Sequence, residues 1–218
     1  RFQMQIDLSG KTALVTGSTA GIGLAIASGL ANAGAQVTIT GRRQDKLDNA
    51  LASIEQTSGR TDIRGIVADP GTAEGCQRAV AETERRLGPI TVLICNHGLG
   101  SAHERVIWEQ DPQVWTEMMQ INLDGPSHLS RLVLPGMVER GYGRLVYTSS
   151  TAGVVAEYAG SASQHIVDEL ERRVFREWGD SGHTSQGREE FAAVRIRDHG
   201  PASTLDAPHR GIRVHPYD

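Results

Sequence analysis

The sequence alternates regularly between short apolar runs and longer segments with helical periodicity. The apolar runs are rich in β-branched residues and predict buried strands. They lie at 11–16, 35–40, 62–69 and 90–96. The segments between them carry apolar residues at helical spacing and predict helices at 21–34, 43–59 and 73–88. Strands that alternate with helices of this length indicate βαβ units, so we predict an α/β fold with a doubly wound parallel sheet.

The second half of the sequence follows this pattern only in part. A long helix is predicted over 111–141, interrupted near Gly125-Pro126 and Leu134-Pro135, and a fifth strand over 143–150. Beyond residue 160 the periodicity weakens, although 166–178 still fits a helix and 211–216 a short strand. We therefore predict one domain over 4–178 and a divergent tail over 179–218 that is atypical or partly disordered.

Composition and charge narrow the functional classes. A chain of 218 residues is long enough for one α/β domain, and its net charge of −4 lacks the basic footprint of a nucleic-acid-binding protein. No apolar run is long enough to span a bilayer, and the first residues do not resemble a secretion signal. The two cysteines and the late histidines lack the spacing of metal ligands. We predict a cytoplasmic protein without a metal, membrane or nucleic-acid site.

A glycine-rich loop, "TGSTAGIG" over 16–23, follows the first strand and opens the first helix. Gly17 permits a tight turn, and Gly21 and Gly23 let the backbone approach a ligand closely. The N-terminus of the helix supplies free N–H groups and a partial positive charge, which suit a phosphate group. The loop therefore predicts a site for a dinucleotide pyrophosphate.

The spacing of these glycines, together with four later motifs, resembles the short-chain dehydrogenase/reductase family. Asp69 ends the third strand, and "CNHG" over 95–98 matches the family's Asn-Asn-Ala-Gly at Asn96 and Gly98. Asn122 in "INLDG" and Ser150 in "GRLVYTSS" stand where the family has its catalytic asparagine and serine. The resemblance covers residues 4 to 162.

This resemblance implies a Rossmann fold, hydride transfer between a nicotinamide and a carbonyl or alcohol carbon, and a homodimer or homotetramer. Ser150 would polarise the oxygen of a small-molecule carbonyl or alcohol substrate, and Asn122 would hold a water or the active-site backbone. The positions implied to bind the cofactor are Gly17, Ser18, Thr19, Gly21, Ile22, Gly23, Asp69, Asn96 and Gly98.

The end of the second strand favours NADP(H) over NAD(H). NAD-specific sites usually place a carboxylate there for the ribose 2′-hydroxyl. This strand ends in "TITGRR" instead, so that Arg42 and Arg43 follow at once. Guanidinium groups suit a 2′-phosphate by charge and by forked hydrogen bonding. Arg42 is the expected contact, whereas Arg43 fits equally well as a solvated cation at a helix start.

The family's catalytic tyrosine, and the lysine one helical turn after it, have no counterpart. The only lysines are Lys11 and Lys46, and Tyr158 is the one phenol in the stretch that follows Ser150 closely. The positions that match the tyrosine and lysine are Ser163 and Val167 in one alignment, or Gly160 and Gln164 in another. Tyr158 is thus a weak candidate for the proton donor, and His165 a weaker one.

Three functional hypotheses follow. The first is an oxidoreductase of this family with impaired catalysis. The second is a non-catalytic NADP(H)-binding protein or partner subunit, which needs the glycine loop but not the tyrosine and lysine. The third is a defective, truncated or chimeric family member.

Overall fold

A computed structural model describes residues 6–99, 109, 111–150 and 191–198, with the last segment and Ser149–Ser150 described by their backbone alone. The strands are Thr12–Val15 (β1), Gln36–Gly41 (β2), Arg64–Val67 (β3), Val92–Cys95 (β4), Gly143–Ser150 (β5) and Phe191–Asp198 (β6). The helices are Gly21–Asn32 (α1), Gln44–Ser58 (α2), Ala73–Leu87 (α3), Pro112–Met119 (α4) and Gly125–Glu139 (α5).

The strands form one parallel sheet in the order β3-β2-β1-β4-β5-β6. This is the strand order of a doubly wound nucleotide-binding fold, so the predicted fold class is confirmed. From β1 the strands are added on one side as β2 and β3, and then on the other side as β4, β5 and β6. The strand order therefore reverses between β1 and β4. In such sheets ligands bind at this point, outside the carboxyl ends of the strands.

Two apolar layers cover the two faces of the sheet. On one face, Val15, Ile39 and Ile94 are buried in one cluster with Ala27 of α1 and Ile54 of α2. On the other face, the cluster is formed by these buried residues of β1, β4, α3 and α5: Leu14, Leu93, Cys76, Ala79, Leu129, Val133 and Met137. Strands buried on both faces explain why the sequence shows continuous apolar runs and not strict alternation.

The predicted long helix contains a π-helical turn over Gln120–Asp124, between α4 and α5. This turn lies just before Gly125-Pro126, one of the two predicted interruptions. The second predicted interruption is wrong, because α5 continues through Pro135. Val133 and Met137 on either side of this proline are buried in the core, and we infer that their packing holds the helix together where one N–H is missing.

The sixth strand lies in the segment that the sequence assigned to a divergent tail. Over Phe191–Asp198 the backbone pairs in parallel with β5, from Gly143↔Phe191 to Ser150↔Asp198. The weak periodicity of 179–211 did not predict this strand. The helix expected at 166–178 and the strand expected at 211–216 both fall outside the described residues.

Candidate dinucleotide site

The glycine loop turns sharply between β1 and α1 at the carboxyl edge of the sheet. Gly17 and Gly21 have φ angles of 59° and 56°, in the left-handed region that side-chain-bearing residues rarely adopt. A Cβ at Gly17 would lie 2.7 Å from the Cα of His97. A Cβ at Gly23 would collide with the carbonyl oxygen of Gly17 and the side chain of Asn96. The glycines are therefore required both for the turn and for close packing against the end of β4.

The N-terminus of α1 is open towards a ligand. The residue that precedes the helix is Ala20, no side chain caps the first turn, and the first turn contains no acidic residue. A Cβ at Gly21 would meet no atom within 4 Å, and Ile22 is 41% exposed. Uncapped N–H groups beside open space are what a pyrophosphate requires, so the residues of this loop fit a dinucleotide.

Ser18 and Thr19 connect the glycine loop to β2. The Ser18 hydroxyl donates to the Val15 carbonyl at 2.6 Å and accepts from the N–H of Thr40 at 3.0 Å. The Ser18 N–H donates to the Thr40 carbonyl at 3.2 Å, so both of its donors are used within the protein. Thr19 lies against Gly41, at the exit of β2. Of the two predicted cofactor contacts, Ser18 stabilises the glycine loop by hydrogen bonds to β1 and β2. Thr19 lies next to the segment 41–43, which contains the two arginines.

A hydrogen-bond network joins the exits of β1, β4 and β5. Asn96 donates through Nδ2 to the Gly17 carbonyl at 3.1 Å and accepts from the Thr148 hydroxyl at 3.1 Å. Thr16 Oγ1 accepts from the N–H of Asn96 at 3.1 Å and lies 2.7 Å from Nδ1 of His97. Asn96, which was predicted as a cofactor contact, thus connects the ends of β1, β4 and β5 through hydrogen bonds. Sequence reasoning did not assign a role to Thr16, Thr148 or His97, although His97 was already a departure from the family's motif.

The His97 imidazole is held among protein groups. Its Nε2 is buried and has no hydrogen-bond partner among the described residues. Burial lowers the pKa of His97 from 6.5 to about 4, which the backbone of Ile121 and the charge of Asp69 oppose only in part. The ring is therefore neutral near neutral pH.

Asp69 and Gly98 border the same edge of the sheet. The Asp69 carboxylate accepts from the N–H of Gly71 at 3.0 Å, directly after β3. The exit of β3 is fixed to that of β2 by a hydrogen bond from the Ala68 N–H to the Gly41 carbonyl, at 3.0 Å. Gly98 is exposed in the segment after β4. The three segments follow the carboxyl ends of β3, β2 and β4, the edge of the sheet at which ligands bind in doubly wound folds.

The two arginines after β2 differ in their surroundings. Arg43 forms a two-pronged ion pair with Asp45, and both side chains are largely exposed. Arg42 is exposed and forms no ion pair with any described residue. The Arg42 guanidinium is therefore the one available to a phosphate beside the exit of β2.

Asn122 lies in the π-helical turn and holds the segment after β4. Its Oδ1 accepts from the N–H of Leu99 at 2.7 Å, and its Nδ2 donates to the Leu99 carbonyl at 3.1 Å. Of the two functions that the resemblance implied for Asn122, the structure describes the contact with backbone. Sequence reasoning did not single out Leu99.

Ser150 closes β5 and is paired with Asp198, but its side chain lies outside the described atoms. Tyr158 also falls outside the described residues. The phenol of Tyr147 forms a hydrogen bond with Ser130 at 2.8 Å, and burial raises the pKa of Tyr147 well above its usual 10. The ring of Tyr142 lies beneath the ammonium group of Lys11, 3.8 Å from its centroid. Neither tyrosine is placed to exchange a proton at the carboxyl edge.

Cys76 and Cys95 are buried free thiols, and burial raises the pKa of Cys76 to about 12. No group of three or more potential metal ligands occurs in the described part of the chain. None of its helices is both long and apolar enough to cross a membrane.

The family model for short chain dehydrogenase matches residues 11–182. The chain belongs to the short-chain dehydrogenase family. The match continues past residue 162, where the recognisable motifs of the family end in this sequence. Members of this family bind a nicotinamide cofactor, and the glycine loop lies at the edge of the sheet where doubly wound folds bind a dinucleotide.

Two curated relatives carry names that specify an activity. The D-beta-hydroxybutyrate dehydrogenase of Cupriavidus necator is 37% identical over 155 residues, which are 71% of this chain and 58% of that protein. The galactitol 2-dehydrogenase (L-tagatose-forming) of Cereibacter sphaeroides is 34% identical over 180 residues, 80% of this chain and 68% of that protein. The chain spans about half the length of other curated relatives, 47% in one case and 55% in another.

Solved structures of the family superpose well on this fold. The L-sorbose reductase from Gluconobacter frateurii, solved with NADPH and L-sorbose, has a TM-score of 0.70 and 30% identity, covering 77% of this chain and 62% of its own. A metagenomic short-chain oxidoreductase in complex with NADP has a TM-score of 0.76 at 24% identity and covers 88% of this chain and 84% of its own. The second comparison supports the fold alone.

Proposed function

We propose that this protein binds NADP(H) at the carboxyl ends of β1, β2 and β4 and catalyses slow hydride transfer between the nicotinamide and a carbonyl or alcohol carbon. The observation that carries the proposal is the glycine loop at the switch between β1 and β4, with its uncapped helix N-terminus beside open space. The bound nicotinamide would supply or accept the hydride. The protein would orient it against the substrate and exclude water.

The preference for the phosphorylated cofactor is supported by Arg42. Its exposed guanidinium follows β2, where the strand offers no carboxylate for a ribose 2′-hydroxyl. Arg43 is already paired with Asp45 and would contribute less. The NADPH named for the L-sorbose reductase, at 30% identity, agrees with this preference.

Slow turnover follows from the absence of a matched proton donor. A free tyrosine has a pKa of about 10 and needs a nearby cation to exchange protons near neutral pH. No lysine follows Lys46 in this chain, and Tyr147 is buried against Ser130. Loss of a general acid typically costs about 10² to 10⁴ in rate. The same facts favour a second candidate, a non-catalytic NADP(H)-binding protein or partner subunit.

A label-transfer experiment separates these candidates. NADPH deuterated at C4 would be incubated with the protein and L-sorbose or L-tagatose, the ketoses named for two relatives, and deuterium would be counted in the product by mass spectrometry. A parallel titration would measure NADPH binding. Gly23→Ala removes the close approach in the loop, and Gly29→Ala on the same helix, where a Cβ meets no atom within 4 Å, is the matched control.

We expect binding and slow label transfer in the wild type and in Gly29→Ala, and neither in Gly23→Ala. Binding of NADPH without label transfer to either ketose would favour the non-catalytic candidate. Absence of NADPH binding by the folded protein would reject both candidates.

A further inference from the structure

His97 lies directly after β4 and forms a hydrogen bond back to the end of β1. Its Nδ1 is 2.7 Å from the hydroxyl of Thr16. That hydroxyl oxygen already accepts from the N–H groups of Asn96 at 3.1 Å and His97 at 3.4 Å. A hydroxyl has two acceptor positions and one proton to donate. With both acceptor positions used, the single proton of Thr16 has two acceptors within reach, Nδ1 of His97 at 2.7 Å and the Ile94 carbonyl at 3.2 Å. The shorter contact favours Nδ1, which places the proton of the neutral ring on Nε2.

The other end of the ring points towards the π-helical turn. Nε2 is buried and forms no hydrogen bond of normal geometry in the described part of the chain, although the backbone of Ile121, within the turn, interacts with the ring. A Cβ at Gly125, the residue that follows the turn, would lie 2.7 Å from this atom and would also collide with the Pro70 carbonyl. Gly125 therefore makes room for the imidazole, and the ring fills the space between the glycine loop and the start of α5.

A second contact fixes the same two regions. Asn122, within the turn, forms two hydrogen bonds with the backbone of Leu99, two residues beyond His97. The segment 97–99 is thus joined to the turn at both of its ends, by the His97 ring and by the Asn122 amide. Of these two, only His97 also reaches Thr16, the first residue of the glycine loop.

We propose that His97 is a positioning residue whose imidazole sets the distance between the glycine loop, through Thr16, and the π-helical turn that carries Asn122, through Gly125. The effect of His97 on nucleotide binding rests on the proposed function, but its effect on the distance between the glycine loop and the π-helical turn does not. His97 does not exchange protons with a substrate, because one nitrogen is bonded to Thr16 and the other is enclosed by protein.

Two substitutions separate the two ends of the ring. In His97→Asn, the side-chain oxygen lies where Nδ1 was and can still accept from Thr16, but the side chain no longer reaches Gly125. In His97→Gln, the terminal nitrogen can occupy the position of Nε2, but no side-chain atom replaces Nδ1, and Thr16 keeps only the Ile94 carbonyl as an acceptor. His97→Ala removes both ends. His128→Gln, on the neighbouring helix α5, is the control for the loss of a histidine.

Hydrogen–deuterium exchange of the full chain reports both regions without a ligand, in peptides that cover 16–24 and 120–125. The loss of one buried hydrogen bond corresponds to about a tenfold change in local opening. For His97→Ala we expect about tenfold faster exchange in 16–24, from the lost hydrogen bond, and faster exchange also in 120–125, from the cavity that the ring leaves beside Gly125. For His97→Asn we expect faster exchange mainly in peptide 120–125, and for His97→Gln mainly in peptide 16–24. His128→Gln should leave exchange in both peptides unchanged. Unchanged exchange in both peptides of His97→Ala would overturn the proposal.

The wild-type protein provides a test that needs no variant to fold. The nitrogen-15 NMR signals of the His97 ring at pH 6 should show a neutral imidazole with its proton on Nε2. A charged ring, or a proton on Nδ1, would overturn the proposal. An NADPH titration of the same samples distinguishes the two claims. The expected exchange pattern without NADPH binding would reject the proposed function and leave the positioning role standing.

Discussion

Asn122 forms two hydrogen bonds with the backbone of Leu99, one through each atom of its carboxamide, at 2.7 Å and 3.1 Å. This pairing joins the π-helical turn to the segment that leaves β4. Both sides of the amide are used, so a residue of other chemistry cannot reproduce the contact. Asn122 therefore contributes to the candidate site by holding the backbone of Leu99, in the segment after β4, in place.

Replacing Asn122 by alanine should destabilise the fold. The substitution leaves the half-buried N–H and carbonyl of Leu99 without their partners, which costs about 1–3 kcal/mol in the free energy of unfolding. Gln120→Ala, at an exposed position of the same turn, should change it by no more than about 0.5 kcal/mol. Urea denaturation of both variants measures the difference. Equal stabilities would show that the Leu99 contact contributes nothing.

Two glycines of α1 should respond to alanine in opposite directions. Gly23→Ala places a Cβ on the Gly17 carbonyl, so it should lower the melting temperature and prevent nucleotide binding. Gly29 lies within the helix, with no atom within 4 Å of its Cβ position. Gly29→Ala should stabilise the protein by about 0.5–1 kcal/mol, since alanine is the better helix former. Calorimetry checks both, and a destabilised Gly29→Ala would contradict the geometry of α1.

Tyr147 should contribute to stability but not to chemistry. Its phenol is hydrogen-bonded to Ser130, and burial raises its pKa, so it holds its proton throughout the neutral range. Tyr147→Phe removes one hydrogen bond, worth about 0.5–1.5 kcal/mol of stability. The rate of deuterium transfer from NADPH should stay at the wild-type value. A variant that is fully folded, binds NADPH and has lost transfer would identify Tyr147 as the missing acid.

The stability of the protein should fall between about pH 6.5 and pH 4 because of His97. In the unfolded chain this ring takes up a proton below its usual pKa of 6.5, whereas in the fold it resists protonation down to about 4. The unfolded state therefore binds more protons in this window, and the free energy of unfolding declines as pH falls, by at most about 1.4 kcal/mol per pH unit.

The surface carboxyls contribute in a lower pH range. Ion pairs with arginine lower the pKa of Asp45, Asp62 and Glu82, so their stabilisation is lost only as pH falls below the ordinary carboxyl range. His97→Gln should therefore show a flatter dependence between pH 6.5 and 4.5 in urea denaturation. The same slope in the variant and the wild type would mean that the ring is protonated normally in the folded protein.

The sequence predicted the fold class because its signals are local and repeated. Apolar runs such as 90–96 and glycine stops such as Gly34 mark each βα unit independently of the rest of the chain. The glycine loop was also visible, since a tight turn between a strand and a helix has few sequence solutions. Residue type and order were sufficient for these features.

Other features depend on contacts between distant residues and were not predicted. The pairing of Thr16 with His97 and of Asn122 with Leu99 joins positions that are far apart in sequence. The π-helical turn over Gln120–Asp124 has no composition of its own. The sixth strand has a period-two pattern only over Val194 to Arg197, too short to outweigh the breakers around it.

Parallel calorimetric titrations with NADPH and NADH measure whether the carboxyl edge of this sheet holds NADP(H) through the glycine loop and Arg42. The proteins compared are the wild type, Arg42→Ala and Arg43→Ala. NADPH should bind the wild type more tightly than NADH. Arg42→Ala should weaken NADPH binding about 10- to 100-fold, the value of a charged hydrogen bond to phosphate, and leave NADH unchanged. Arg43, paired with Asp45, should matter little. Binding of neither nucleotide to the folded wild type, or tighter binding of NADH, would show that this edge of the sheet is not an NADP(H) site.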